Sequence, residues 1–88
     1  MARMSAEKRR AAIESVRKNI TYLMVLQDKT LPDLANYLNI SLATLRRKVE
    51  EPRRWTLDDL ISLANLFNVS VGLIIAGEVR FEKEVLRA

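Results

Sequence analysis

Apolar residues recur at helical spacing along most of the chain. Ile13, Val16, Ile20 and Leu23 step by 3, 4 and 3 positions, which is one face of a helix. They predict a long first helix over about 6–27, whose opening turns, "SAEKRRAA", are charged. A second helix starts after Thr30. Threonine caps a helix N-terminus well, Pro32 is tolerated in a first turn, and Asp33 stands three residues on, as in a capping box. Leu34, Ala35 and Leu38 form its inward stripe, and Asn39 suits the left-handed stop. Ser41 caps a third helix, "LATLRRKVE", with Leu45 and Val49 inward. Glu51-Pro52 ends it, because the residue before proline avoids the helical region. Thr56 and Asp59 form a second box ahead of a fourth helix, which buries Leu60, Leu63, Ala64 and Phe67 and stops at Asn68. Ser70 opens a short fifth helix, "VGLII", ending near Gly77. In the tail "EVRFEKEVLRA", Val79 and Phe81 alternate like a strand, while Phe81 and Val85 are spaced like a helix. That tail reads as helical, or extended and then helical.

The expected fold class is therefore all-α: a compact five-helix domain with an extended N-terminal helix and a short C-terminal tail. Residues 1–16 read as a basic helix extension, 17–76 as the folded domain, and 77–88 as a tail and candidate dimerisation element. A chain of 88 residues makes one domain with one modest core. Leu73, Ile74 and Ile75 are more apolar than one short helix hides. A dimer contact is favoured there, with 79–86 as its extension.

Charge sharpens this outline. Residues 1–54 carry twelve Lys/Arg against six Asp/Glu, and 55–88 carry three against five. The basic half points towards a polyanion, nucleic acid before an anionic membrane. Five basic residues, Arg46, Arg47, Lys48, Arg53 and Arg54, fall within nine positions. There is no cysteine and no histidine. Disulfides, most zinc sites and the Ser-His-Asp and Cys-His systems are thereby excluded. The expectation is a protein without enzymatic activity, catalytic residues, metal, cofactor or small-molecule ligand. No apolar run approaches a membrane span of about 18 residues, and the N-terminal stretch has no apolar signal core. A cytoplasmic protein of bacterial or viral origin is expected.

Two short helices separated by three residues are the layout in which the first helix braces and the second enters the DNA major groove. Ala35 supplies the small residue where the helices touch, and Asn39, Ile40 and Ser41 supply the tight turn. Leu42, Ala43, Thr44, Arg46 and Arg47 occupy the outer face of the second helix. The segment "LPDLANYLNISLATLRRKVE" with "RRWTLDDLISLANLFNVSVGLII" resembles the lambda-repressor-like, or Cro/xenobiotic-response-element, helix-turn-helix family, in the style of phage repressors. The likeness covers residues 17–76. It rests on the central Ala35, the turn Asn39-Ile40-Ser41, the pair Thr44-Leu45, and the later Thr56, Leu60, Leu63-Ala64, Leu66 and Val69. Asn39 departs from the usual turn glycine. Lys48 stands where many members place a buried aliphatic residue, which Val49 supplies instead.

The resemblance implies a sequence-specific transcriptional regulator, a repressor or Cro-like protein, acting as a homodimer on double-stranded, pseudo-palindromic DNA. Its base-reading positions would be Leu42, Ala43 and Arg47, with Arg46 next. An arginine can donate two hydrogen bonds to guanine, whereas Leu42 and Ala43 offer only apolar contact. Phosphates would meet Thr30, Leu31, Ser41 and Thr44 at the two helix starts, and Lys29, Lys48, Arg53 and Arg54 around them.

Plainer readings compete. Arg46, Arg47 and Lys48 would also suit a solvated helix C-terminus, and Glu50 and Glu51 offer partners to Arg47 or Arg54. The N-terminal "EKRR" is either a phosphate-binding arm or a soluble helix end. Trp55 reads as an anchor pinning the loop to the fourth helix, and Asp58 and Asp59 as capping rather than catalytic. Two alternative functions remain: a protein-interaction module such as an antitoxin or adaptor on the same fold, and a phage recombination accessory protein. The latter usually carries a β-wing, for which residues 51–56 give no signal.

Overall fold

In a computed structural model that describes residues 5–77, the chain folds as five α-helices. They are α1 (Ala6–Gln27), α2 (Leu31–Leu38), α3 (Leu42–Glu50), α4 (Leu57–Phe67) and α5 (Val71–Ala76). A single 3₁₀ turn, Pro52–Arg54, links α3 to α4. No strand occurs among the described residues, and none of their helices is long and apolar enough to cross a membrane. The tail 78–88, including the expected dimer extension at 79–86, lies outside the described residues.

Local chemistry accounts for the boundaries. Each α-helix begins at a serine or threonine whose hydroxyl accepts from the amide three residues on: Ser5, Thr30, Ser41, Thr56 and Ser70. Thr30 with Asp33 and Thr56 with Asp59 close both halves of a capping box. Three helices end on a left-handed residue, Asp28, Asn39 and Asn68. Short polar side chains tolerate that conformation without glycine. Asp28 plays this part at the end of α1, a stop that the sequence reading did not name.

The core gathers one stripe from each helix. Ile20, Leu23, Leu34, Leu45, Leu63, Phe67 and Ile74 are almost fully buried, with Ala35, Ala64, Leu60 and Trp55 closing it. α1 runs unbroken through the expected boundary at residue 16. Its exposure changes near there instead, since residues 6–12 are solvated while Ile13, Ser15 and Val16 are half-buried. In α5, Ile74 fills the core and Ile75 stays exposed.

Two polar clamps hold α1 to distant helix ends. The Asn19 amide, 4% exposed, donates to the carbonyls of Leu73 (3.1 Å), Ile74 (3.0 Å) and Gly77 (3.1 Å). These carbonyls belong to the end of α5, where the intrahelical ladder runs out; the Leu73 carbonyl accepts from the Gly77 amide as well, at 3.0 Å. Gly77 is required for space: a Cβ there would sit 2.6 Å from the Leu73 Cα. About two turns further along α1, Gln27 donates to the Phe67 carbonyl at 2.7 Å and so closes the end of α4.

Candidate nucleic-acid interface

α2 and α3 meet across Asn39, Ile40 and Ser41, with Ala35 buried between them. The Ile40 amide donates to the Ala35 carbonyl at 3.0 Å, and Ile40 packs against the core. Leu45 points inward, fully buried, and Val49 follows it partway. Their helical phase sends Ala43, Thr44, Arg46 and Arg47 outward, and all four are exposed.

Neither Arg46, Arg47 nor Arg53 is held by a protein acceptor among the described residues. These three guanidinium groups, all exposed, are therefore uncommitted. Arg54 is different, since its Nε pairs with Glu51 at 3.0 Å across an exposed turn. Thr44, Arg47, Lys48 and Arg54 together line a shallow open recess of about 310 Å³.

The starts of α3 and of the short α5 carry no acidic residue, unlike those of the other three described helices. α1, α2 and α4 each carry an acidic residue in the first turn, namely Glu7, Asp33, and Asp58 with Asp59. α3 has none, and its last turn holds Arg47 and Lys48. Its N-terminal amides thus keep their partial positive charge unopposed. The Ser41 hydroxyl accepts from the Thr44 amide (3.1 Å) and donates to Thr44 Oγ1 (2.9 Å). That leaves the Thr44 hydroxyl hydrogen available to an incoming acceptor.

Several expected contacts sit differently. Thr30 has its amide and hydroxyl both engaged by Asp33, at 2.8 and 3.3 Å. The Thr30 amide first, then its hydroxyl and the nearby Lys29, hold the Asp33 carboxyl below the usual carboxylate range. A negative charge therefore stands where a phosphate was expected. Leu31 and Leu42 pack partly against the core. At that turn the Leu31 amide and the Lys29 charge are what is left to an anion.

Lys48 departs most. Its ammonium donates to Asp59 Oδ2 at 2.8 Å and to the Arg54 carbonyl at 3.2 Å, and it lies 5.8 Å from the Trp55 ring centroid. Both side chains of the pair are largely covered, Lys48 at 17% and Asp59 at 19% exposed. Lys48 is an internal tie, not a free phosphate contact. Burial pushes the Asp59 carboxyl up. The Lys48 ammonium and the Thr56 amide and hydroxyl outweigh that and hold it below the usual carboxylate range. Trp55 is 8% exposed and packs in the core, as an anchor should.

The sign of this shift fixes a pH dependence. Asp59 binds its proton less readily in the folded chain. The stability it contributes is complete above the ordinary aspartate value and is lost as pH falls through the lower folded one. Asp59→Asn is expected to cost about 1–2 kcal/mol at pH 7, through the cap and the lost pair. The variant should also show a flatter loss of stability below about pH 4. Urea unfolding from pH 7 down to pH 2 checks both, and equal slopes for the two proteins would rule out the Asp59 contribution.

The C-terminal end of α3 is tied from a second side. Arg17 Nη2 on α1 donates to the Glu50 carbonyl at 2.6 Å. Sequence reasoning missed Arg17 and Asn19 as structural partners, and it took Lys48 for a surface cation.

No family model, curated protein or solved structure matches this chain. Among the described residues, no group of three or more Asp, Glu, His or Cys is placed to hold a metal.

Proposed function

We infer that this chain is a sequence-specific DNA-binding regulator of the lambda-repressor-like helix-turn-helix type, working in the cytoplasm as a homodimer. α3 would lie in the major groove, with Arg46 and Arg47 at base edges. The observation that carries this reading is the outer face of α3: free arginines on a helix whose first turn lacks a carboxylate. Polyanion binding needs uncommitted cations, and base reading needs them on a projecting element that fits the groove. Arg53, free on the adjoining turn, and the Ser41–Thr44 start of α3 would take phosphates. Arg54 would join them after loosening from Glu51.

Dimerisation finds support in apolar residues left in water. Leu57 (64% exposed) and Ile61 (43% exposed) lie four apart on α4, and Ile75 stands out on α5. The same residues favour a second reading, in which this fold binds another protein and no DNA.

Selection of bound sites from random duplexes tests the proposal. A regulator should enrich two inverted half-sites about 10 bp apart, one helical turn. Failure to enrich any sequence, together with no duplex binding at about 50 mM salt, would leave the protein-binding reading. Arg53→Ala should weaken every duplex alike and flatten the slope of log K against log salt by about one. Titrations over a range of salt concentrations read that directly.

A further inference from the structure

We propose that Lys48, tied to Asp59, is the positioning residue that sets the spacing between the base-reading arginines of α3 and the phosphate-facing turn at Pro52–Arg54. The proposal rests on the DNA-binding reading of α3 and adds a device to it.

The geometry is specific. A single ammonium makes three contacts, and all three lie between the end of α3 and the first turn of α4: the Arg54 carbonyl, the Trp55 ring and the Asp59 carboxylate. Asp59 Oδ2 in turn accepts from the Thr56 amide at 3.0 Å, so the tie ends on the fixed start of α4. Arg46 and Arg47 leave the helix immediately before Lys48, and Arg53 and Arg54 are the turn that its tie fixes. The free guanidinium groups on either side therefore share one anchor. A flexible turn of this length would let Arg53 drift by ångströms relative to Arg47. Specific binding requires both to fit one rigid duplex at once, whereas non-specific binding tolerates the drift.

Salt dependence separates this role from a phosphate contact. The Lys48 charge is already opposed by Asp59 at 2.8 Å. Removing it takes away no phosphate contact, so the number of counterions released on binding should not change. A true phosphate contact would change it by about one.

Lys48→Met, which keeps the apolar stem over Trp55, and Lys48→Arg, which can restore the pair, form the test. Wild type and both variants would be titrated with the selected operator and with random duplex over a range of salt. The expected result for Lys48→Met is an unchanged salt slope on both duplexes. Its ratio of specific to non-specific affinity should fall about tenfold, the worth of one base contact out of register. Lys48→Arg should recover most of that ratio. A slope reduced by about one with an intact ratio would overturn the proposal and make Lys48 a phosphate contact. So would a lower melting temperature with the ratio and slope both intact, the mark of a purely structural pair.

Amide exchange on the free protein supplies a readout that needs no DNA. Lys48→Met should speed exchange at Arg54 and Trp55, while the amides of Ile20 and Leu23 keep wild-type rates. Unchanged exchange at Arg54 and Trp55 also overturns the tie. A wild-type chain that prefers no duplex defeats the regulator reading, and the exchange experiment then decides the tie by itself.

Discussion

Asn19→Asp is expected to cost at least about 4 kcal/mol at pH 7, a large part of the roughly 5–15 kcal/mol typical of a whole domain. The wild-type amide gives its two hydrogens to three carbonyls at the end of α5, at 3.0–3.1 Å, from a site only 4% exposed. An aspartate there offers oxygens to oxygens. The three carbonyls lose the Asn19 donor, only Leu73 keeping the Gly77 amide, and a buried negative charge faces the negative end of a helix. The variant has a pH signature of its own. A carboxyl so placed takes up a proton more readily when folded, because only the protonated form can donate. The variant is therefore most stable below the ordinary aspartate value and weakens as pH rises through the raised one. Urea unfolding at pH 4 and pH 7 reads this, with Asn19→Leu as the uncharged control expected to lose about 1–3 kcal/mol at either pH. Equal losses for Asp and Leu would show that the site is wetter than its burial implies.

Arg47→Ala is the second large expectation, and it falls on affinity rather than stability. Arg47 is exposed and has no protein acceptor among the described residues, so its removal leaves the fold unstrained. Should it donate two bonds to a guanine, the variant loses about 1–3 kcal/mol of discrimination, or roughly 5–150-fold. Its neighbours on the outer face, Ala43 and the half-buried Leu42, cannot replace donors of that kind. Site selection repeated with the variant should lose information at one or two positions of each half-site and keep the half-site spacing. If affinity and preference both stay at wild-type values, base reading belongs to Arg46 or to DNA shape.

What the sequence made legible was local. Helix ends depend on residues within four positions of one another, so Thr30 with Asp33, Thr56 with Asp59, and the stops at Asn39 and Asn68 could be read directly. The inward stripes came from period alone. Contacts between distant segments carried no such mark. Arg17 meets the Glu50 carbonyl across 33 positions, and Asn19 meets the end of α5 across 54 to 58. One cue was present: Asn19 falls in phase with Val16, Ile20 and Leu23, so a polar amide had to face the core and find partners there. Lys48 shows the opposite error. Counted with Arg46 and Arg47 it looked like part of a solvated patch, but residues one position apart point about 100° apart on a helix. That rotation carries Lys48 off the outer face and over Trp55.

The Asn19 clamp also has a temporal consequence. α1 is synthesised before α5, yet the carbonyls that Asn19 must meet belong to α5. At a synthesis rate of about 5–20 residues per second, Asn19 waits roughly 3–12 s for its partners. Until then its amide is satisfied by water, and α1 leaves the ribosome with a polar notch in its apolar face.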